Sequence, residues 1–267
     1  MRFLLAHEAA IRFGIFTGVL GLVAAAESFF PARERHFARL ARWPANLLLS
    51  AAGSVMLRLL FPLLAVGVAI WAEAHNIGFF YWIGLPGWAG FTASLILLDG
   101  LVYAQHVLMH RMALLWRFHR VHHSDRDVDT TTALRFHPGE IALSMGLKML
   151  AVIALGAPPE AVVIFEIVLN GTAMFNHANL FLAPAIEHIL RLFIVTPGMH
   201  RIHHSLKREE MDSNYGFNLS LWDQLFSTYR PAASRSDFTL GLASYQSTEP
   251  NGPIFVLLLP FWRRALR

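Results

Sequence analysis

Long uncharged stretches alternate with short arginine-rich segments along the chain. The apolar stretches occupy residues 9–30, 43–72, 77–98 and 141–170. A helix needs about 20 apolar residues to cross a membrane, so the first and third stretches each have the length of one span. Arg58 interrupts the second, which can span if this side chain reaches the interface or faces protein. Pro158-Pro159 breaks the fourth, which predicts a bent helical hairpin.

This pattern predicts an all-α, integral-membrane helical bundle of about four spans with a helical cap on one side. We expect N-terminal transmembrane helices in residues 1–80, a central domain in 81–232 and an interfacial tail in 233–267, which ends in a basic cluster. Arg12 and Glu27 flank the first span, so we expect it to remain in the membrane and not to be cleaved as a signal peptide.

The positions of the arginines predict the orientation of the spans. Residues 31–43 carry four arginines and residues 111–140 carry five, whereas residues 73–78 contain neither arginine nor lysine. The positive-inside rule then places 31–43 and 111–140 on the cytoplasmic side. If 141–180 is a hairpin, the second hydrophilic region, 200–250, also faces the cytoplasm.

Composition supports a membrane protein and excludes several kinds of chemistry. Hydrophobic residues make up 55% of the 267 residues and charged residues only 15%, against about 25% charged in a typical soluble domain. The chain has no cysteine, which excludes disulfides, thiolate zinc fingers, iron–sulfur clusters and cysteine nucleophiles. The net charge is +4, but the arginines lie beside apolar runs, so we expect no nucleic-acid partner.

Ten of the 14 histidines lie between residues 106 and 204 in repeated spacings. They are His106, His110, His119, His122, His123, His137, His177, His200, His203 and His204. Residues separated by three or four positions share one face of a helix, and neutral imidazole binds first-row transition metals well. One ion takes about four to six ligands, so this number of imidazoles predicts a two-metal site held by the cap.

Three other metal-dependent functions fit parts of this pattern. A membrane zinc or iron transporter would hold its ligands near mid-span, whereas most of these histidines lie at span ends or in arginine-rich segments. A bis-histidine haem protein needs isolated pairs of histidines. A zinc-dependent membrane hydrolase commonly carries H-E-x-x-H, which is absent here. The transporter and the hydrolase are kept as alternatives.

Four motifs resemble the fatty acid hydroxylase/sterol desaturase superfamily of integral-membrane di-iron oxygenases, in its bacterial sterol-desaturase-like branch. They are WRFHRVHHSD (116–125), TTALRFHP (131–138), VTPGMHRIHHS (195–205) and NYGFNLSLWDQLFSTY (214–229), and the resemblance covers about residues 90–232. Val107 and Ser227 stand where the family often has arginine and glycine, and neither position is a ligand.

The resemblance implies an enzyme that uses O2 and two external electrons to hydroxylate or desaturate a sterol, fatty acyl or ether lipid. Residues 81–232 would then be its catalytic domain. It implies two iron ions, with zinc as an alternative in purified protein. The active site would lie on the cytoplasmic face of the membrane, which in a bacterium would be the inner membrane. The electrons would come from a separate ferredoxin- or cytochrome-type protein. The arginines of 111–135 would either dock that donor or only set topology and bind lipid headgroups.

The resemblance also assigns roles to individual side chains. Nine of the ten histidines match the family's metal ligands, and His137 is either a ligand or a residue that contacts one. Polar residues near them are candidates to orient the imidazole rings. These candidates are Asp99, Asp125, Glu140, Asn176, Asn179, Asn214 and Asp223.

Overall fold

A computed structural model describes residues 2–231, 239–246 and 252–262. Every regular element in these residues is helical, and the few β-contacts are isolated bridges, which confirms the predicted all-α class. The α-helices are α1 (Arg2–Ala6), α2 (Glu8–Phe29), α3 (Arg39–Leu60), α4 (Ala65–Ala74), α5 (Phe79–Trp82), α6 (Gly87–Arg111), α7 (Ala113–His123), α8 (Pro138–Leu155), α9 (Pro159–Asn176), α10 (Pro184–Leu190), α11 (Pro197–His203), α12 (Arg208–Met211), α13 (Leu221–Leu225) and α14 (Pro253–Leu258). Short 3₁₀ helices occupy Thr130–Leu134, Ala243–Tyr245 and Leu259–Phe261.

Four helical stretches are long and apolar enough to cross a membrane. They are Glu8–Phe29, Arg39–Trp82, Gly87–Arg111 and Pro138–Leu155, in agreement with the prediction of about four spans. The second stretch is not one continuous helix, because the chain leaves helical geometry between α3 and α4. Pro62 lies in this break and has no backbone N–H to donate to a preceding turn. Arg58, near the end of α3, is exposed.

The third span differs from the uncharged run 77–98 that the sequence indicates. The run is divided between α5 and α6, because Gly84 adopts a φ of 62° and Pro86 caps the start of α6. A positive φ is readily accessible to glycine and ends the helical path. The span therefore begins at Gly87 and continues to Arg111, which brings the first histidine pair into the last two turns of a membrane helix.

Helices α8 and α9 form the predicted hairpin. Gly156 ends α8 with a φ of 70°, and Pro159 occupies the first turn of α9, as expected for a glycine stop followed by a proline start. A Cβ atom on Gly78 would lie 2.1 Å from the backbone nitrogen of Gly156. The hairpin tip and the turn after α4 can therefore meet only if residue 78 has no side chain.

A buried ion cluster joins α3 to the segment after α7. The guanidinium of Arg42 donates to both oxygens of Asp125, at 2.8 and 2.6 Å, and to Asp129 at 2.7 Å, and all three side chains are almost completely buried. Burial alone would raise the pKa of Asp125, but the Arg42 charge outweighs it and holds that pKa well below its usual range. These ion pairs therefore hold α3 and the segment after α7 together in the interior.

The C-terminal segment belongs to the core in its described part. Val256 and Leu259 pack against Ala45 and Leu49 of α3 and against Val121 of α7. Ile254 and Phe261 of the same segment are exposed, so one apolar face packs against protein and the interfacial position of the tail stays a prediction. The basic cluster expected in residues 263–267 lies outside the described residues.

We expect Arg42→Met to lower the free energy of unfolding by about 3–5 kcal/mol, because it leaves two buried carboxylates without their cation. Loss of helical circular dichroism on denaturation of the detergent-solubilised protein measures this change. Arg58→Met removes an exposed arginine from the same helix and should cost less than about 0.5 kcal/mol. Equal effects of the two substitutions would contradict a structural role for the ion cluster.

Candidate metal centre

Four segments bring nine buried histidines together at one end of the bundle. His106 and His110 come from α6, and His119, His122 and His123 from α7. His177 caps α9, and α11 with its cap provides the remaining three. They form two groups within which the ligand nitrogens lie within 4.8 Å of one another: His106, His110, His119, His123 and His203, and His122, His177, His200 and His204.

The two groups are adjacent. The ring of His123 in the five-histidine group stacks on the ring of His204 in the four-histidine group, with centroids 4.5 Å apart. His200 and His203 are three residues apart on α11 but belong to different groups, and the centroids of their rings lie 5.1 Å apart. Each H-x-x-H-H motif therefore serves both groups, which agrees with the two-ion arrangement that the number of histidines suggests.

Fixed acceptors orient three rings of the five-histidine group. The Nδ1 of His106 donates to the carbonyl oxygen of Tyr215 at 2.8 Å, and that of His203 donates to the carbonyl oxygen of Ser213 at 2.8 Å. The Nδ1 of His119 donates to a carboxylate oxygen of Glu140 at 2.7 Å. Each neutral ring therefore carries its proton on Nδ1 and its lone pair on Nε2.

These lone pairs point at each other. The Nε2 atoms of His106 and His119 lie 3.1 Å apart. In the four-histidine group, the Nε2 of His177 lies 3.0 Å from that of His122 and 2.9 Å from that of His200. The Nδ1 of His177 donates to the carbonyl of Ala173, so its Nε2 also carries a lone pair. Facing lone pairs, as in the His106–His119 pair, repel unless a cation lies between them. In the four-histidine group the nitrogens of neighbouring rings also converge on the lone pair of His177, so both groups fit a bound metal ion.

The surroundings of the four-histidine group keep its rings neutral at neutral pH. Burial, reinforced by neighbouring imidazoles, lowers the pKa of His122, His200 and His204 well below the usual histidine value. Burial also lowers the pKa of His177, to about 4. A neutral imidazole offers a lone pair and an imidazolium does not, so the site is prepared to bind metal at pH 7.

Glu140 is the one candidate side chain of the sequence analysis that contacts a clustered imidazole directly. It lies in the first turn of α8 and is 4% exposed, with its carboxylate on His119. A carboxylate on the far nitrogen of a ligand imidazole fixes the ring and increases its basicity. This contact links the start of the α8–α9 hairpin to the five-histidine group.

Asp99 and Asp223 act on the protein around the site and do not bond to an imidazole. Asp99 lies two turns before His106 on α6, but it accepts from Trp222 Nε1 at 2.8 Å and from a backbone N–H. Asp223 accepts from the backbone N–H groups of Tyr215 and Gly216 at 2.8 and 2.7 Å. It thereby positions the backbone whose carbonyl orients His106, and burial raises the pKa of Asp223.

Three of the four remaining polar candidates also bond elsewhere. Asp125 is occupied by Arg42. The side chain of Asn176 donates to the carbonyl of Phe217 at 2.9 Å. Asn179 exchanges hydrogen bonds with the backbone of Arg33 at 3.1 and 2.8 Å. They fasten the segments next to the histidines, so their effect on the rings is indirect.

Asn214 holds the loop that leads into the site. Its side chain donates to the carbonyls of Met199 and Arg230, at 3.1 and 3.0 Å. The residue has a φ of 52°, a conformation that asparagine tolerates better than most residues. The loop that supplies the Ser213 and Tyr215 carbonyls is thereby tied to α11.

His137 does not join either group. It caps α8, where its Nδ1 accepts from the backbone N–H of Gly139 at 3.0 Å and its Nε2 donates to the carbonyl of Leu257 at 3.2 Å. Both ring nitrogens are therefore engaged in backbone contacts. The structure supports a helix-capping role in place of the ligand role considered from the sequence.

Two of the five arginines in 111–135 do not lie on the surface. Arg120 and Arg135 are completely buried. Arg120 donates to the carbonyl of Trp262 at 2.7 Å, and Arg135 donates to Val121 and Asn46, both at 2.9 Å. These two arginines cannot dock an acidic partner, because their charges are directed at carbonyl and amide oxygens inside the protein.

An apolar cavity of about 550 Å³ reaches the five-histidine group. His106, His119 and Glu140 line one end of it. Residues of α2, α3, α6, α8 and α9 line the rest, so the cavity lies among the membrane helices and both arms of the hairpin contribute to its wall. Phe136 and Phe217 also line the cavity near the metal end, and Phe136 stacks on His122 with centroids 4.3 Å apart.

The backbone acceptors of the rings were not identified from the sequence. Tyr215 lies 109 residues after His106, whose ring it orients, and Ser213 lies outside the four motifs. Every residue carries a backbone carbonyl that can accept a hydrogen bond. A residue-type pattern therefore contains no signal for them. The motif 214–229 marks the right loop without showing which of its atoms matter.

Comparison with known proteins is consistent with this geometry. A model of the fatty acid hydroxylase family matches residues 91–228, just over half of the chain, and these residues include all nine clustered histidines. The chain therefore belongs to the fatty acid hydroxylase family, and the resemblance found in the sequence is confirmed. No solved structure gives a significant match.

Several characterised relatives are lipid-modifying enzymes by name. The chain is 30% identical to ornithine lipid hydroxylase OlsE of Rhizobium tropici, over 64% of this chain and 50% of that protein. It is 30% identical to alkylglycerol monooxygenase of Homo sapiens, over 60% of this chain and 35% of that protein. It is 26% identical to cholesterol 25-hydroxylase of Rattus norvegicus, over 52% and 46% respectively. The matches thus span about a third to a half of the length of these relatives.

Glu140→Gln should weaken metal binding about 10- to 100-fold, because an amide is a poorer acceptor for the His119 N–H than a carboxylate. Competition with a chelator measures the affinity. Glu73→Gln, which changes an exposed carboxylate of α4, is the control and should leave it unchanged. The same affinity in both variants would show that Glu140 does not support a ligand.

His137→Gln should retain the full metal content, because its ring is directed at backbone groups and not at the other imidazoles. His123→Gln should reduce the metal content, because both nitrogens of His123 are buried without a hydrogen-bond partner and lie among the five-histidine group. Metal analysis of the two purified variants compares them. Metal loss from His137→Gln alone would reverse these assignments.

Proposed function

We propose that this protein is a membrane oxygenase that uses O2 and two external electrons to hydroxylate or desaturate a C–H bond of a lipid. The observation that carries the proposal is the convergence of five and four imidazoles beside an apolar cavity of about 550 Å³. Family membership supports it, as do relatives named as lipid hydroxylases and monooxygenases.

Iron is the metal that the family favours, and all-imidazole sites suit it. Two iron ions at the two groups would supply O2 activation and the oxidising power to remove hydrogen from an unactivated C–H bond. The protein's part is to hold the rings. The carbonyls that accept from His106 and His203 and the carboxylate of Glu140 direct three lone pairs inward before metal arrives.

The cavity provides the second requirement of this chemistry, which is exclusion of water. Leu98, Met109 and Phe165 form part of its wall and are almost fully buried. His106 and His119 belong both to the five-histidine group and to the cavity wall. A lipid chain lying in the cavity would therefore present a carbon directly at the metal site.

The proposed reaction needs two electrons from outside the described site. The chain has no cysteine for an iron–sulfur centre, so we propose a ferredoxin- or cytochrome-type donor. The positive-inside rule favours the cytoplasmic side for the histidine end, in a bacterium at the inner membrane. Because Arg120 and Arg135 are buried, any electrostatic attraction of a donor must rest on other residues, such as the exposed Arg111.

We expect protein purified without oxygen to contain two iron ions per chain and to consume O2 only when a reductant is supplied. Elemental analysis and an oxygen electrode measure these two quantities. Protein with zinc alone, no O2 consumption after iron loading and hydrolysis of a lipid ester would indicate a zinc-dependent hydrolase. Metal uptake into vesicles without lipid oxidation would instead indicate a transporter.

His203→Ala should abolish lipid oxidation while the protein still inserts into the membrane, because its ring is buried with Nε2 directed into the five-histidine group. Product analysis by mass spectrometry and membrane fractionation measure the two properties. His188→Ala removes an exposed histidine of α10 and should retain activity. Full activity of the His203 variant would remove this residue from the proposed site.

A further inference from the structure

Three charged side chains line the cavity away from the histidines. Glu166 of α9 is 4% exposed and accepts from Lys148 of α8 at 2.6 Å and from Arg12 of α2 at 2.8 Å. All three line the apolar cavity. Ionisable groups within membrane helices are costly and commonly mark a binding site or a pathway, and the proposed oxidation chemistry does not use these three.

On the cavity side the cluster presents two cations and one buried carboxylate, that of Glu166. The charge of the second cation is balanced by Glu8, which lies 3.6 Å from Arg12 but is one-third exposed and does not line the cavity. An anion in the cavity would therefore find two donors, already positioned by Glu166, in a low-dielectric environment that strengthens the attraction.

The cluster also lies at a defined distance from the metal site. Lys148 follows Glu140 by eight residues on α8, which is about 12 Å along the helix axis. Glu166 precedes His177 by eleven residues along α9, which corresponds to about 16 Å. The cavity therefore has a charged end and a metal end, separated by a mostly apolar wall that suits a hydrocarbon chain.

We propose that Arg12 and Lys148 bind the anionic group, a carboxylate or a phosphate, of the lipid substrate, with Glu166 as the residue that positions them. This inference rests on the proposed function for its substrate. The bound anion fixes the lipid lengthwise, so the carbon at His106 and His119 lies about 12–16 Å from the anionic group. The cluster thereby selects both the class of lipid and the position of oxidation.

The absence of cysteine allows a direct test. In Lys148→Cys, the new thiol is the only one in the chain, and aminoethyl methanethiosulfonate restores a cation at that position, whereas methyl methanethiosulfonate leaves it neutral. Binding of palmitate, palmitoyl lysophosphatidic acid and uncharged hexadecanol is measured by displacement of a fluorescent acyl probe. The protein is metal-loaded and kept without reductant, so no turnover occurs.

We expect the neutral Lys148→Cys adduct to bind at least one of the two anionic lipids about tenfold or more weakly than the wild type does, with hexadecanol unchanged. The aminoethyl adduct should restore that affinity. If binding of palmitate weakens, the anionic group is a carboxylate, and if binding of palmitoyl lysophosphatidic acid weakens, it is a phosphate. Arg58→Cys, treated identically, removes an exposed arginine outside the cavity and should not alter any of the three affinities.

Equal weakening for all three lipids would show that the cluster only holds the helices together and would overturn the proposal. Unchanged binding of both anionic lipids would also overturn it. Lys148→Arg keeps the positive charge and should retain the preference for the anionic lipid. This variant is the control that distinguishes loss of the charge from a folding defect caused by substitution at residue 148. Because binding is measured without turnover, this outcome is independent of whether the protein oxidises lipids, which the oxygen-uptake experiment decides.

Discussion

The constraint on which this structure depends is the burial of nine imidazoles whose ring nitrogens face each other within two groups. Nε2 atoms about 3 Å apart, such as those of His106 and His119, repel in the absence of a cation. The fold must therefore hold the rings in place by other means. It does so with acceptors on the far side of the rings, of which Glu140 and the carbonyls of Ser213 and Tyr215 are the clearest.

The two carbonyl acceptors are in turn fixed by polar contacts elsewhere. Asp223 holds the backbone at Tyr215, and Asn214 ties the same loop to α11. Arg42 binds Asp125 immediately after the His122–His123 pair and joins it to α3. Buried pairs of this kind cost desolvation free energy. Here they fix the segments that carry the clustered histidines.

The fold also explains how a hydrocarbon chain can reach a polar metal centre. The arms of the α8–α9 hairpin start and end beside the histidines, at Glu140 and His177, and the cavity lies between them. The chain turns at Gly156, where the contact with Gly78 leaves no room for a side chain. The apolar cavity and the histidine groups thus share a wall, which is the arrangement that oxidation of a lipid requires.

The sequence was sufficient to predict the nine clustered histidines, because imidazole type and helical spacing are both properties of the chain itself. It was sufficient for the hairpin as well, since Pro158-Pro159 constrains the backbone locally. Asp99 shows the limit of this reasoning. Its spacing from His106 is correct for a shared helix face, but Trp222, more than a hundred residues later, occupies its carboxylate.

The remaining differences have the same cause, which is competition from groups distant in the chain. His137 fits the family motif, yet the carbonyl of Leu257 and a backbone N–H engage its ring. The sequence suggests that Arg120 and Arg135 are surface charges, but the C-terminal segment and α3 cover them in the structure. Periodicity describes one helix at a time, whereas these outcomes depend on which helices pack together.

Anomalous X-ray diffraction at the iron absorption edge, from crystals of iron-loaded protein, would show whether the two histidine groups hold two iron ions beside the cavity. We predict two anomalous peaks, one surrounded by the five-histidine group and one by the four-histidine group. A single peak, or peaks away from both groups, would show that the two groups do not hold an iron ion each.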